Sequence, residues 1–218
     1  MADALLFVYS EPGPVPEAEF TDWYDNEHVP ARLSVPGFSN VRRFQAADGE
    51  VPSWLATYDL APGTLASPEY KALAENASAR EKSIMSSLGI LDRRVYEPLS
   101  TAGAAWAPGA PDPGGSPPAV LAVGLSVPPA VEADLAAWYA DEHIPMLLAV
   151  PGWGRIRRYR LTEGNAPAYL ALHEIASLAV FDDPAYRAAV TTPWRNRIVD
   201  SATARERRVF SLYRAFGA

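Results

Sequence analysis

The chain has 218 residues, 49% apolar and 21% charged, with a net charge of −7 and no cysteine. That balance predicts a soluble globular protein, and the negative charge argues against a nucleic-acid backbone or an anionic membrane surface as the main partner. Disulfides, thiolate nucleophiles and cysteine-held zinc or iron–sulfur centres are excluded, and no apolar run approaches the ~20 residues that span a bilayer. The N-terminus lacks the basic start of a secretory signal, so a cytoplasmic location is expected.

Leu5 to Ser10 is a short apolar run closed by a proline-rich turn, which predicts a buried strand. Glu17 to His28 follows Pro16 and carries acidic residues in its first turn, as a helix start does. Pro30 is expected to limit that helix, and Pro36-Gly37 to turn the chain into a second strand at Val41 to Gln45. A third strand is predicted at Trp54 to Leu60, a second helix from Ser67-Pro68, and a fourth strand at Arg93 to Leu99.

The order then begins again. Strands are predicted at Val120 to Leu125, Ile156 to Leu161, Tyr169 to Ile175 and Arg207 to Tyr213. Helices are predicted over about Val131 to His143 and from Asp183-Pro184. The residues themselves repeat: Trp23, Tyr24, Glu27, His28, Pro30, Pro36 and Gly37 return 115 residues later as Trp138, Tyr139, Glu142, His143, Pro145, Pro151 and Gly152. Each half reads βαββαβ, the ferredoxin-like motif of the α+β class. The units are residues 1–99 and 120–218, joined at 100–119 by an Ala-, Gly- and Pro-rich linker that Trp106 is expected to pin. A four-stranded sheet with helices on one face needs its other face covered. The two sheets are therefore expected to pack face to face around a cavity, giving a monomeric pseudo-dimer.

The repeated Trp-Tyr-x-x-Glu-His-x-Pro with its downstream Val-Pro-Gly resembles the dimeric α/β-barrel superfamily, most closely its EthD-like branch, here as a tandem duplication. Thr191-Thr192-Pro193-Trp194 is similar to the second-helix region of that branch; the first half has Glu75-Asn76-Ala77-Ser78 there. The resemblance implies a small-molecule pocket and, in many relatives, cofactor-free chemistry by a histidine: lactone isomerases, polyketide cyclases and dehydratases, beside oxygenases and haem proteins. Secondary metabolism or aromatic catabolism is the implied setting.

His28 and His143 end the first helix of each half, one turn beyond Tyr24 and Tyr139. The helix end favours a charged imidazole and burial opposes it, so the direction of any pKa shift stays open. His173, the third histidine, stands where the first half has Tyr58. Alternation places Trp54, Ala56 and Tyr58, and Tyr169, Ala171 and His173, on one face, expected to border the inter-sheet cavity, with Leu170 and Leu172 beneath the helices. His28, His143 and His173 are the candidate proton carriers. Tyr9, Tyr24, Trp54, Tyr58, Tyr139, Tyr169, Trp194 and Arg197 are the candidate substrate contacts, with Arg195 beside Arg197 available to an anion. The better-formed pocket is expected in the second half, around His143 and His173.

Glu27 and Glu142 are expected to pair with the strand-two arginines Arg42, Arg43, Arg157 and Arg158. No helical zinc motif, phosphate loop, dinucleotide fingerprint or serine elbow is present, so no metal or cofactor is expected. The expected activity is acid–base chemistry, of an isomerase, cyclase or lyase, on a small aromatic, lactone or polyketide-like molecule. The alternatives are a binding or scaffold protein whose histidines only tie helix ends, and a haem-binding or oxygenase-type barrel.

Overall fold

A computed structural model describes residues 4–106 and 117–217. The first half contains β1 (Ala4–Glu11), α1 (Glu17–Trp23), a π-helical turn (Tyr24–His28), α2 (Val29–Leu33), β2 (Phe38–Ala46), β3 (Trp54–Leu60), α3 (Pro68–Glu75), α4 (Ala79–Ser87) and β4 (Ile90–Ala102). The second contains β5 (Ala119–Ser126), α5 (Glu132–Trp138), a π-helical turn (Tyr139–His143), α6 (Ile144–Leu148), β6 (Trp153–Glu163), β7 (Tyr169–Ile175), α7 (Pro184–Ala189), α8 (Pro193–Asp200) and β8 (Ala204–Phe216).

The eight strands close into one antiparallel barrel in the order β1-β3-β2-β8-β5-β7-β6-β4. Each half contributes four neighbouring strands, and the seams are β2 with β8 and β4 with β6. The seams explain why β4 and β8 run past the predicted ends: Ser100 to Ala102 pair with Arg158 to Ile156, and Ala215 and Phe216 with Arg42 and Val41. The predicted linker at 100–119 therefore overlaps two strands, while its residues 107–116 lie outside the described residues. Trp106 does pack on the body: a Cβ on Gly154 would lie 2.8 Å from its ring.

The barrel interior is a packed core built from both halves, with Phe7, Tyr9, Leu55, Leu170, Leu172 and Phe210 among its members. The expected cavity between the sheets is thus filled, and the strand faces are the reverse of those expected. Leu170 and Leu172 point into the barrel, whereas Trp54, Ala56, Tyr58, Ala171 and His173 point outward under the helices. Alternation sorts residues into two sets, but when both faces are buried it does not say which set faces which layer.

The prolines do not end the first helices. Pro30 and Pro145 fall in the first turns of α2 and α6, and the chain stays helical through them. Proline offers no N–H to an α-helical bond, and the widened turn before it absorbs the mismatch. Turns at Gly37 and Gly152 then enter β2 and β6 with φ of 99° and 84°, a conformation suited to glycine.

Candidate functional site

The same local device presents both helix-end histidines. In each π turn the N–H after the histidine donates five residues back, Val29 to the Tyr24 carbonyl and Ile144 to the Tyr139 carbonyl. The extra residue per turn rotates the Trp-Tyr…His set toward the sheet, so that all six of these side chains are buried. On the sheet side His28 faces Tyr58 and His143 faces His173, across two clefts that lie between helices and barrel.

The second-half cleft is a cavity of about 500 Å³. Its walls are aromatic: the His143 ring stacks on Trp138 at 4.2 Å, His173 meets Trp153 edge-on at 5.4 Å, and Trp153 stacks on Tyr186 at 5.5 Å. Burial pushes His143 down to about 4, against a backbone hydrogen bond to Ala189, with nearby Arg195 and Arg158 adding to the shift. Burial likewise lowers His173 to about 3, aided by His143 and Arg207. Both rings are therefore neutral at pH 7, and the Nδ1 atoms of both, with the indole N–H of Trp153, have no hydrogen-bond partner. Tyr139 lines the same space, and burial raises its hydroxyl to about 12, so it stays protonated.

The first-half cleft measures about 110 Å³. A hydrogen bond of 2.8 Å between the Tyr24 and Tyr58 hydroxyls crosses it. Burial lowers His28 to about 4 as well. Its Nδ1 lies 3.4 Å from Glu81, without hydrogen-bond geometry, and Glu81 accepts from Arg32 at 2.9 Å. Contact with His28 and Arg32 holds the Glu81 carboxyl down at about 2.

Of the candidate residues, His143, His173 and Tyr139 meet in the larger cavity, and His28, Tyr24 and Tyr58 in the smaller. The other candidate substrate contacts lie outside both clefts. Tyr9 sits inside the barrel and donates to Glu206 at 2.9 Å, because the inner face of β1 is core. Trp54 is buried against Arg43, 4.4 Å from its ring, and Tyr213. Tyr169 packs with the cluster of Leu125, Leu135 and Trp138 rather than lining the cavity. Trp194 and Arg197 both bind Asp134, at 2.9 Å and 3.2 Å, which ties α8 to α5 at the surface.

Glu27 and Glu142 do not reach the strand-two arginines either. Glu27 pairs with Arg80 at 2.5 Å, and Glu142 accepts from Trp138 and Thr192 at 3.0 Å and 2.6 Å. Arg43 is ion-paired with Asp25 instead, and Arg157 with Asp59 and Glu174. Arg158 has Ala140 where the first half has Asp25, and it stacks over Tyr139 at 4.0 Å.

Sequence reasoning missed the cavity residues Trp138, Trp153, Tyr186, Arg205 and Arg207. The period-two spacing of Arg205 and Arg207 on β8 was the available signal for the last pair. Among the described residues no group of three or more metal-binding side chains is assembled.

No protein-family model matches this chain, and no curated protein does. Solved structures do. An anthrone oxidase-like protein superposes with a TM-score of 0.67 at 13% identity, covering 99% of this chain and 92% of its own. A Fusobacterium nucleatum protein provisionally assigned as a monooxygenase gives 0.62 at 11% identity, covering 99% and 95%. A ferredoxin-fold protein of Listeria monocytogenes related to antibiotic biosynthesis monooxygenases gives 0.54 at 10% identity, covering 98% and 96%. The fold is shared; the sequences are not. The chain thus has the ferredoxin-like α/β-barrel fold, and these proteins match it over nearly its whole length.

Proposed function

We propose that the chain is a tandem-duplicated barrel of the EthD-like branch, with units at 1–99 and 120–218. Its second-half cavity binds a small aromatic, lactone or polyketide-like molecule, and His143 or His173 moves a proton on it without a cofactor. The observation that carries this reading is the pair of neutral, desolvated imidazoles of His143 and His173 lining an aromatic cavity of about 500 Å³. A buried neutral imidazole accepts a proton from an acidic C–H or O–H, and the same desolvation drives the imidazolium to return it elsewhere on the substrate. That cycle performs isomerisation, cyclisation or dehydration. The Tyr139 hydroxyl, protonated at pH 7, supplies a hydrogen bond to oxygen charge developing on the substrate.

Absorbance assays on lactones, anthrones and linear polyketide mimics test the proposal. His143→Ala or His173→Ala is expected to reduce turnover by about 10²–10⁴-fold, the usual contribution of general acid–base catalysis. His28→Ala is expected to leave it within about threefold, well below that contribution. Survival of turnover within about tenfold after loss of both second-half histidines would overturn the reading.

The same imidazoles favour a second, oxygenase-type reading, consistent with the monooxygenase names of structural neighbours. An unprotonated histidine with a free ring nitrogen, such as His143 or His173, is the ligand type that haem iron takes, and haem would supply dioxygen chemistry. Haemin titration decides it: a Soret shift lost in His143→Ala or His173→Ala supports haem, and no shift removes it.

A further inference from the structure

Once the two clefts are superposed through their shared elements, the neutral Leu147 stands where Arg32 pairs with Glu81, and three further positions differ in charge or in its pairing. Ser78 caps α4 and accepts from the Glu81 N–H at 3.0 Å; Thr192 caps α8 and accepts from the Arg195 N–H at 3.1 Å. Glu81 and Arg195 are therefore equivalent, and the carboxylate beside His28 becomes a guanidinium beside His143. The strand register gives the second change. Ser10 faces Leu91 in the β1–β4 pair, and its counterpart Leu125 faces Arg205 in the β5–β8 pair. The third is the loss of a partner. Arg93 and Arg207 occupy matching register positions, yet Arg93 is ion-paired with Glu163 at 3.0 Å and Arg207 pairs with no carboxylate among the described residues.

The second cavity thus carries Arg195, Arg205 and Arg207 on its lining, none ion-paired with a carboxylate among the described residues. Glu206 is the carboxylate on the same lining, and it is already engaged, accepting from Arg94 and Tyr9. Arg195 is half-buried, while Arg205 and Arg207 stand exposed at the mouth, with Arg207 over the Phe181 ring at 5.1 Å. In a chain of net charge −7, an uncompensated cationic rim over an aromatic chamber is a local reversal of sign.

We propose that the second-half cavity selects aromatic acids: a planar ring system held by Trp138, Trp153 and Tyr186, with a carboxylate or phenolate met by Arg195, Arg205 and Arg207. Guanidinium groups bind carboxylates in bidentate fashion and phenolates through charge-assisted N–H···O bonds, and partial desolvation strengthens either contact. An anion there also offsets the Arg195 and Arg207 charges, the smaller part of what lowers the two imidazoles beside burial. The inference rests on the cavity assignment proposed above and adds the charge of its occupant.

Calorimetry with 2-naphthoate and its neutral isostere 2-naphthamide tests this on the whole chain. Naphthoate is expected to bind at least about tenfold more tightly, and to weaken as salt is raised. The double variant Arg205→Gln/Arg207→Gln changes exposed side chains and should keep the wild-type Tm. It is expected to bring naphthoate toward the naphthamide affinity without altering naphthamide, and Arg195→Gln should act in the same direction. Equal binding of the two probes, no effect of the arginine changes, or binding of neither probe would overturn the proposal. Selective naphthoate binding with turnover insensitive to the histidines would leave this inference standing and defeat the proton-transfer reading.

Discussion

The two halves share a scaffold and part company around the same imidazole. Trp23-Tyr24…His28 and Trp138-Tyr139…His143 occupy identical π turns, each with a ring-on-ring contact between tryptophan and histidine at 4.7 Å and 4.2 Å. What surrounds them differs: Tyr58, Arg32 and Glu81 close the first cleft with hydrogen bonds, whereas His173, Leu147 and Arg195 leave the second open. The repeated residues are those the helix-to-sheet packing requires. The residues that distinguish the two sites are the ones that do not repeat.

The largest expected effect comes from acid. All three histidines are held neutral by burial, with folded values of about 4, 4 and 3 against an ordinary value near 6.5. Between those limits the unfolded chain binds more protons than the folded one, so stability is complete above pH 6.5 and declines as pH falls. Each histidine should cost about 2 kcal/mol by about pH 5. Melting curves across that range should flatten more in His143→Gln/His173→Gln than in His28→Gln. Equal flattening would erase the asymmetry.

Next comes the buried ion pair that only the first half has. Arg43 and Asp25 are both buried and paired, so Asp25→Ala strands a buried guanidinium with only its aromatic contacts. A loss of about 3–5 kcal/mol is expected, a fall in Tm of roughly 10 °C. Arg158→Met, which removes only a stacking contact, should cost about 1 kcal/mol.

Smaller again is the tyrosine pair. Tyr58→Phe leaves the buried Tyr24 hydroxyl without a partner and should cost about 1–3 kcal/mol in chemical denaturation. Tyr139→Phe has no such partner to orphan and should cost less than about 1 kcal/mol. The smallest effect is expected for Arg197→Ala, whose exposed bond to Asp134 should be worth less than about 1 kcal/mol and nothing in turnover.

The sequence carried the element order because the repeat states it twice, and proline–glycine pairs mark the turns. It placed His143 and His173 together only at the rim of an inter-sheet cavity, with His173 facing that cavity, and the packed barrel core leaves His173 pointing under the helices instead. It did not carry the side of the sheet on which they meet. Leu170 and Leu172 are as suited to a barrel core as to a helix interface, and only closure of the barrel decides between them. The π turns were hidden by Pro30 and Pro145, which locally read as stops. Arg205 and Arg207 look like solvated strand residues until the register places them over a cavity. Trp194 and Arg197 show the opposite: an aromatic–cation cluster near a candidate site is held on Asp134, joining α5 to α8 outside the cavity lining.

The most direct test uses the fact that the chain has only three histidines. With ring-labelled histidine, carbon–proton NMR gives one signal for each, assignable by His28→Gln, His143→Gln and His173→Gln. Titration with 2-naphthoate should move the His143 and His173 signals together and leave His28 unchanged. Movement of His28 alone, or of all three alike, would contradict the assignment of the working site to the second half.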